Sequence, residues 1–158
     1  MQRDKLLTAL KDSRAQMEAA LTGLTEAQLQ EPGAAGEWSV KDVLTHLTAW
    51  EAELITAWAR FKRGQKPPKT QYTGAEIEAQ NAKWYAENKK RPLDRVQADF
   101  QGVHKQLLRQ VEAMTELEVN GPQPGGKSTV AQWIMDWVTE HEVEHAAHLA
   151  EWRKARGW

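Results

Sequence analysis

The sequence predicts an all-α protein: a four-helix bundle with a long crossover connection that carries a short extra helix. Three observations predict it. Apolar residues recur at three- and four-residue spacing along most of the chain. No run alternates apolar and polar residues over several β-branched positions, as a half-buried strand would. Most periodic stretches open on Ser, Thr or Pro and close near Gly or Pro, the punctuation of helix ends. The 158 residues, 41% hydrophobic and 27% charged, suffice for one sizeable core, so residues 1–158 read as a single domain.

The first helix is expected at about 2–22, with Leu6, Leu7, Leu10, Met17 and Leu21 on one stripe. Thr25 to Gln28 reads as a capping box over a short turn, closed by Pro32 and Gly33. The second long helix starts after Trp38. Ser39 is its N-cap, and Asp42 complements the cap and the helix dipole. Its apolar stripe is Val43, Leu47, Trp50, Leu54, Trp58 and Phe61, and Gly64 with Pro67-Pro68 ends it. Residues 65–92 form the crossover, in which Thr73 and Glu76 cap a short helix over 77–88. Pro92 starts the third long helix, at about 93–117, with Val96, Phe100, Val103, Leu107, Val111 and Met114 facing inward. Residues 120–126 are the strongest breaker in the chain, but the single helix that follows cannot bury its own apolar face. That last helix is expected at about 129–155, capped by Thr129 with Gln132.

Composition removes several functions. There is no cysteine, hence no disulfide, thiolate ligand or cysteine nucleophile. A net charge of −1, from 21 basic and 22 acidic residues, gives no reason to expect nucleic acid or an anionic membrane as partner. The N-terminal residues lack the apolar core of a signal peptide, and no stretch approaches the roughly 20 apolar residues of a membrane span. The expectation is a soluble cytoplasmic protein.

The last helix carries the chemistry. Its inward stripe reads Val130, Ile134, Trp137, His141, His145, then His148 or Leu149, and Trp152. At about 100° per residue, the three histidines fall within roughly a 60° arc on a face that is otherwise apolar. His141 and His148 are about 10 Å apart along the axis, too far to share an ion easily. The pair is therefore His141 with His145 or His145 with His148, and the i,i+4 spacing of the first is the more favourable. A stable site needs a third protein ligand. His46 supplies it from the inward side of the second helix, between Val43 and Trp50. His104 is a weaker candidate, flanking the stripe of the third helix at the rim. Several uncompensated imidazoles in a core are costly, and a shared metal satisfies them together. Three neutral nitrogen ligands suit a divalent transition metal such as Zn, Ni, Fe or Co and leave positions open for water or substrate. His148 is left as a neighbour of the site. Glu142 and Glu144 flank the pair; Glu144, off the stripe, is a solvated neighbour of the site or a general base, a role also open to Glu51 and Glu53. Trp50 and Trp137 are candidates to line a pocket.

The segment Glu37-Trp38-Ser39-Val40-Lys41-Asp42-Val43-Leu44-Thr45-His46-Leu47-Thr48-Ala49-Trp50-Glu51 resembles the first signature of the DinB-like superfamily, in particular its ClbS/DfsB-type branch. His141-Glu142-Val143-Glu144-His145-Ala146-Ala147-His148-Leu149 resembles the second, a His-x-x-x-His late in the final helix. The segment 76–85 is also similar to that branch, and the resemblance spans nearly the whole chain. It implies a four-helix bundle, often a homodimer, with a divalent metal on His46, His141 and His145. It also implies metal-dependent thiol transfer, with bacillithiol, mycothiol or glutathione as co-substrate, or isomerisation, or hydrolysis. The functional expectation is a metal-dependent thiol transferase or hydrolase acting on a small electrophile. The alternative is a non-catalytic protein that sequesters a small molecule in a stress response and holds a structural metal.

Overall fold

The computed structural model describes all 158 residues. Its helices are α1 (Arg3–Leu21), α2 (Glu26–Leu29), α3 (Val40–Lys62), α4 (Gly74–Asn88), α5 (Leu93–Glu112), α6 (Glu116–Asn120), α7 (Val130–Ile134) and α8 (His141–Ala155). A π-helical segment, Met135–Glu140, joins α7 to α8. There are no strands, only two isolated bridges in loops.

Caps set most of the boundaries. Ser39 accepts from the Asp42 N–H while the Asp42 carboxylate accepts from the Ser39 N–H, so two free backbone donors at the start of α3 are satisfied reciprocally. Thr25, Thr73 and Thr115 build the same box at α2, α4 and α6. The Thr115 box corrects one expectation. The third long helix does not run to 117 but stops at Glu112, because Thr115 and Glu118 cap a separate short helix. The crossover helix α4 has 15 residues, longer than expected, and buries none of them.

Two apolar clusters fill the bundle. One joins Leu6 and Leu10 of α1 to Leu54 and Trp58 of α3, Leu107 and Val111 of α5, and Ile134 with Val138 of the last helical stretch. The other joins Met17, Val43, Leu47, Val96, Phe100, Ala146 and Leu149. The order of these residues along each helix gives the directions. α1 and α8 run one way and α3 and α5 the other, so the α3-to-α5 link must return along the bundle, which is why it is long. Phe61, expected on the inward stripe, is 45% exposed and lies against Trp58.

Between the clusters lies a buried polar layer. Each long helical stretch contributes to it: Ser13 and Arg14, Glu51, His104 and Glu142, all at most 5% exposed. Arg14 Nε donates to Glu142 Oε1 at 2.6 Å, its Nη2 to Glu51 Oε2 at 3.3 Å, and its Nη1 to the Phe100 carbonyl at 2.8 Å. Ser13 Oγ donates to Glu142 Oε2 at 2.8 Å, and His104 Nδ1 lies 2.8 Å from Glu51 Oε1. The guanidinium also stands 3.7 Å above the Phe100 ring. A buried charge is tolerated only when paired and hydrogen-bonded in this way.

The π-helical segment determines which face of α8 meets this core. A π turn holds one more residue than the α turn it replaces. An unbroken helix would carry the core line from Val130 and Ile134 to Trp137, His141 and His145. With the extra residue the line moves on by one, to Val138, Glu142, Ala146 and Leu149, all buried. Trp137, His141, His145 and His148 turn aside into a cleft. The expectation that the histidines sit on the core stripe is corrected accordingly.

Candidate metal centre

His46, on α3, enters the site from between Val43 and Leu47, which anchor that face in the core. His141 and His145 come from the first turn and a half of α8, immediately after the π segment. One ligand nitrogen of each ring lies within 4.8 Å of the others. His46 Nε2 and His141 Nε2 face each other at 2.8 Å. The ring centroids are 4.7 Å apart for His46–His141, 5.2 Å for His46–His145 and 4.9 Å for His141–His145. Nitrogens bound to one ion at about 2.0–2.1 Å stand roughly 3 to 4 Å apart, a spacing this group approaches.

The electrostatics fit a cation. Burial, followed by the neighbouring imidazoles His141 and His145, lowers His46 from 6.5 to about 3. Burial, with His141 and His148 beside it, lowers His145 to about 4. Burial lowers His141 too, against a hydrogen bond to the Trp137 backbone and the charge of Glu144. All three are therefore neutral at neutral pH, with lone pairs free for a metal. The buried Nδ1 atoms of His46 and His145 have no hydrogen-bond partner. Asn81 approaches His46, yet its Oδ1 is already taken by Trp50 Nε1 at 2.8 Å. Three converging neutral imidazoles with few other partners make a donor set that fits a divalent transition metal.

The triad forms one wall of a cleft of about 820 Å³. Trp50 and Trp137, the expected pocket aromatics, both line it and pack edge-to-face with centroids 5.2 Å apart. Trp38, Tyr72, Asn81 and Trp133 line it as well and were not anticipated. Tyr72 and Asn81 belong to the crossover, whose position against α3 no local pattern specifies. Glu144 and His148 are exposed and border the same cleft, with the His148 ring 6.4 Å from that of His145. Two expectations fail. His104 is not at the rim of the metal site: it is 4% exposed and engages Glu51 in the polar layer. Glu51 is committed to Arg14, which it shares with Glu142, so it is not free as a base.

Residues 9–149 match the family described as the DinB superfamily. The chain belongs to the DinB superfamily. This DinB protein is 28% identical over 156 residues to a protein of Geobacillus thermodenitrificans (strain NG80-2) named "Putative metal-dependent hydrolase", covering 96% of this chain and 84% of that one. Its fold is similar to that of an uncharacterised protein of Escherichia coli UTI89 (TM-score 0.85, 20% identity, 98% of this chain and 94% of that chain). It is similar, too, to the colibactin self-resistance protein ClbS, solved in complex with double-stranded DNA (TM-score 0.85, 17% identity, 96% and 95%). A third is the protein titled Sibling Lethal Factor Precursor, DfsB (TM-score 0.84, 13% identity, 99% and 97%). These likenesses establish the ClbS/DfsB-type DinB fold. No helix of the protein is long and apolar enough to cross a membrane.

Proposed function

We propose that this DinB protein is a metal-dependent enzyme, a hydrolase or thiol transferase that acts on a small electrophile bound in the aromatic cleft. The observation that carries the reading is the convergence of three neutral imidazoles, within 4.8 Å, on the wall of an open cleft of about 820 Å³. A divalent Zn, Ni or Fe ion on His46, His141 and His145 would supply a Lewis acid and lower the pKa of a bound water or thiol. The chain's own residues do the rest. Trp50 and Trp137 hold the apolar part of the substrate and exclude water from it. Glu144, whose charge is felt at His141, borders the cleft and accepts the proton released by the nucleophile. Hydrolysis is favoured by the name of the Geobacillus relative. Thiol transfer would use the same site, with a low-molecular-weight thiol in place of water.

The test is elemental analysis of untagged protein after metal repletion, followed by Co(II) substitution and titration with thiols. The reading expects about one ion per chain and a position that exchanges water, the hallmark of a catalytic rather than closed site. A thiol that shifts the Co(II) spectrum supports transfer, and turnover without one supports hydrolysis. A closed coordination shell that no thiol or water perturbs would favour the alternative, a sequestering protein with a structural metal.

We also propose that the protein is a homodimer without affinity for DNA. Its formal charge of −1 gives no net attraction to a phosphate backbone, although the ClbS neighbour was solved with double-stranded DNA. Light scattering and a gel-shift assay test the two statements.

A further inference from the structure

Away from the triad, the cleft is walled by the loop before α7 and by the start of the crossover. Gln123-Pro124-Gly125-Gly126 folds as a tight turn. Pro124 holds its second position, Gly125 its third at φ +68°, and the Gly126 N–H donates to the Gln123 carbonyl at 3.2 Å. That is the pattern of a type II turn, whose third position favours glycine. The Gln123 N–H donates to the Ser128 carbonyl, and the Val130 N–H to that of Gly121, both at 2.9 Å, so the loop closes on itself. Thr70 of the crossover, 5% exposed, donates its hydroxyl to the Pro124 carbonyl and pins the crossover to the turn.

This framework holds the Gln123 side chain. The residue is only 6% exposed, and it lines the cleft. Its backbone is bonded on both sides, but its carboxamide bonds to no other group of the protein. Nor is the carboxamide sealed in the wall, as the unpartnered Trp133 Nε1 is, so its donors and its acceptor open on the cleft. Gly126 makes the room for it: a Cβ there would overlap Cγ, Cδ and Nε2 of Gln123. A carboxamide buried to this extent is costly unless something in the cleft completes its hydrogen bonds. It presents a donor and an acceptor side by side. A primary amide or a lactam satisfies both at once, through two antiparallel N–H···O bonds, whereas a ketone or an ether answers the donor alone. The triad lies further along the same wall: Trp133 and His141 are eight positions apart, roughly 10 Å along the helical stretch.

We propose that Gln123 is a specificity-determining residue of the cleft: it pairs with a primary amide or lactam group of the ligand, roughly 10 Å from the triad. The ligand is then an elongated molecule with a neutral amide at one end, held in register by the turn and by Thr70. The proposal takes from the preceding section only that this cleft is the substrate site, and it needs no ion.

The test uses two uncharged probes of the same shape, 3-phenylpropanamide and 4-phenylbutan-2-one, in which a methyl group replaces the amide NH2. Each is titrated into the intact protein, stripped of metal by chelator, so that neither can coordinate an ion. Tryptophan fluorescence gives the affinity. The side-chain amide signals of Gln123 in nitrogen-15 NMR, assigned by their loss in Gln123→Met, report the contact itself. The native protein should bind the amide about fivefold or more tightly than the ketone, as two neutral hydrogen bonds in a partly buried site provide, and the Gln123 signals should shift with the amide. Gln123→Met should lose the preference. Gly126→Ala should lose it too, because the new Cβ displaces the carboxamide without removing it. Circular dichroism confirms that each variant is folded. A ketone that binds as tightly as the amide, a preference that survives in either variant, or no binding of either probe at millimolar concentration overturns the proposal. Elemental analysis after metal repletion separates the two readings. A chain that takes up no metal yet prefers the amide refutes the enzyme proposal alone; a chain with one ion and no preference refutes only this one.

Discussion

At the scale of single residues, the site depends on imidazoles held neutral. His46→Ala or His141→Ala should reduce metal content from about one ion per chain to roughly a fifth or less, since two remaining nitrogens do not make a stable site. His104→Ala and His148→Ala should leave it unchanged, because His104 faces Glu51 and His148 stands at the exposed border. Loss of metal in His104→Ala with the fold intact would contradict this assignment. The same imidazoles make stability depend on pH. An unfolded chain protonates them near 6.5, whereas the fold holds His46 near 3 and His145 near 4. Between those values the unfolded chain binds more protons, so the metal-free protein gains stability as pH rises from about 4 to 6.5 and loses it on acidification through that window. Urea midpoints at several pH values measure the slope. His46→Gln should flatten it, and an equally steep slope in that variant would count against the depressed values.

At the scale of elements, Arg14 ties the two helices that carry the ligands. It bonds Glu51 five residues beyond His46 on α3 and Glu142 next to His141 on α8. Arg14→Met leaves two buried carboxylates without their cation and should cost about 3–5 kcal/mol, the usual penalty for half of a buried ion pair. Replacing Arg14, Glu51 and Glu142 together by apolar residues of similar volume should cost less than Arg14→Met alone, since no charge is left stranded. Denaturant titrations compare the two. A triple variant that is the less stable would mean that the layer stabilises the fold beyond compensating its own burial.

For the whole molecule, metal and fold are linked. An ion that binds only the native bundle adds about 2.7 kcal/mol at a free concentration of 100 times its dissociation constant. For a chain of this size that corresponds to a rise in Tm of roughly 5–10 °C. Scanning fluorimetry with and without Zn(II) or Ni(II) should show the rise in the native protein and none in His141→Ala. A rise of equal size in that variant would place the ion elsewhere.

Much of this was legible in the sequence, and particular residues show why. Ser39 with Asp42 and Thr73 with Glu76 announce their helix starts because a capping box is local: donor and acceptor lie three residues apart. His141 and His145 announce a pair because i,i+4 positions meet on any helix. Arg14 stands between Leu10 and Met17 on the stripe of the first helix, and Glu142 beside the histidine pair, but nothing local says that they answer each other across 128 residues.

The sequence by itself determined the all-α class, the order of the long helices and the candidate ligands, because periodicity, caps and ligand spacing are short-range properties of a chain. Only the tertiary structure decided three things. The π-helical segment turned the histidines from the core line into the cleft, through an extra residue in one turn that the three- and four-residue spacing does not announce. The Arg14 layer claimed Glu51, His104 and Glu142 for the interior, because a buried charge must find its partner wherever the fold brings one. And the crossover carried Tyr72 and Asn81 to Trp50, residues far apart in the chain that meet only through the return path that parallel α3 and α5 require.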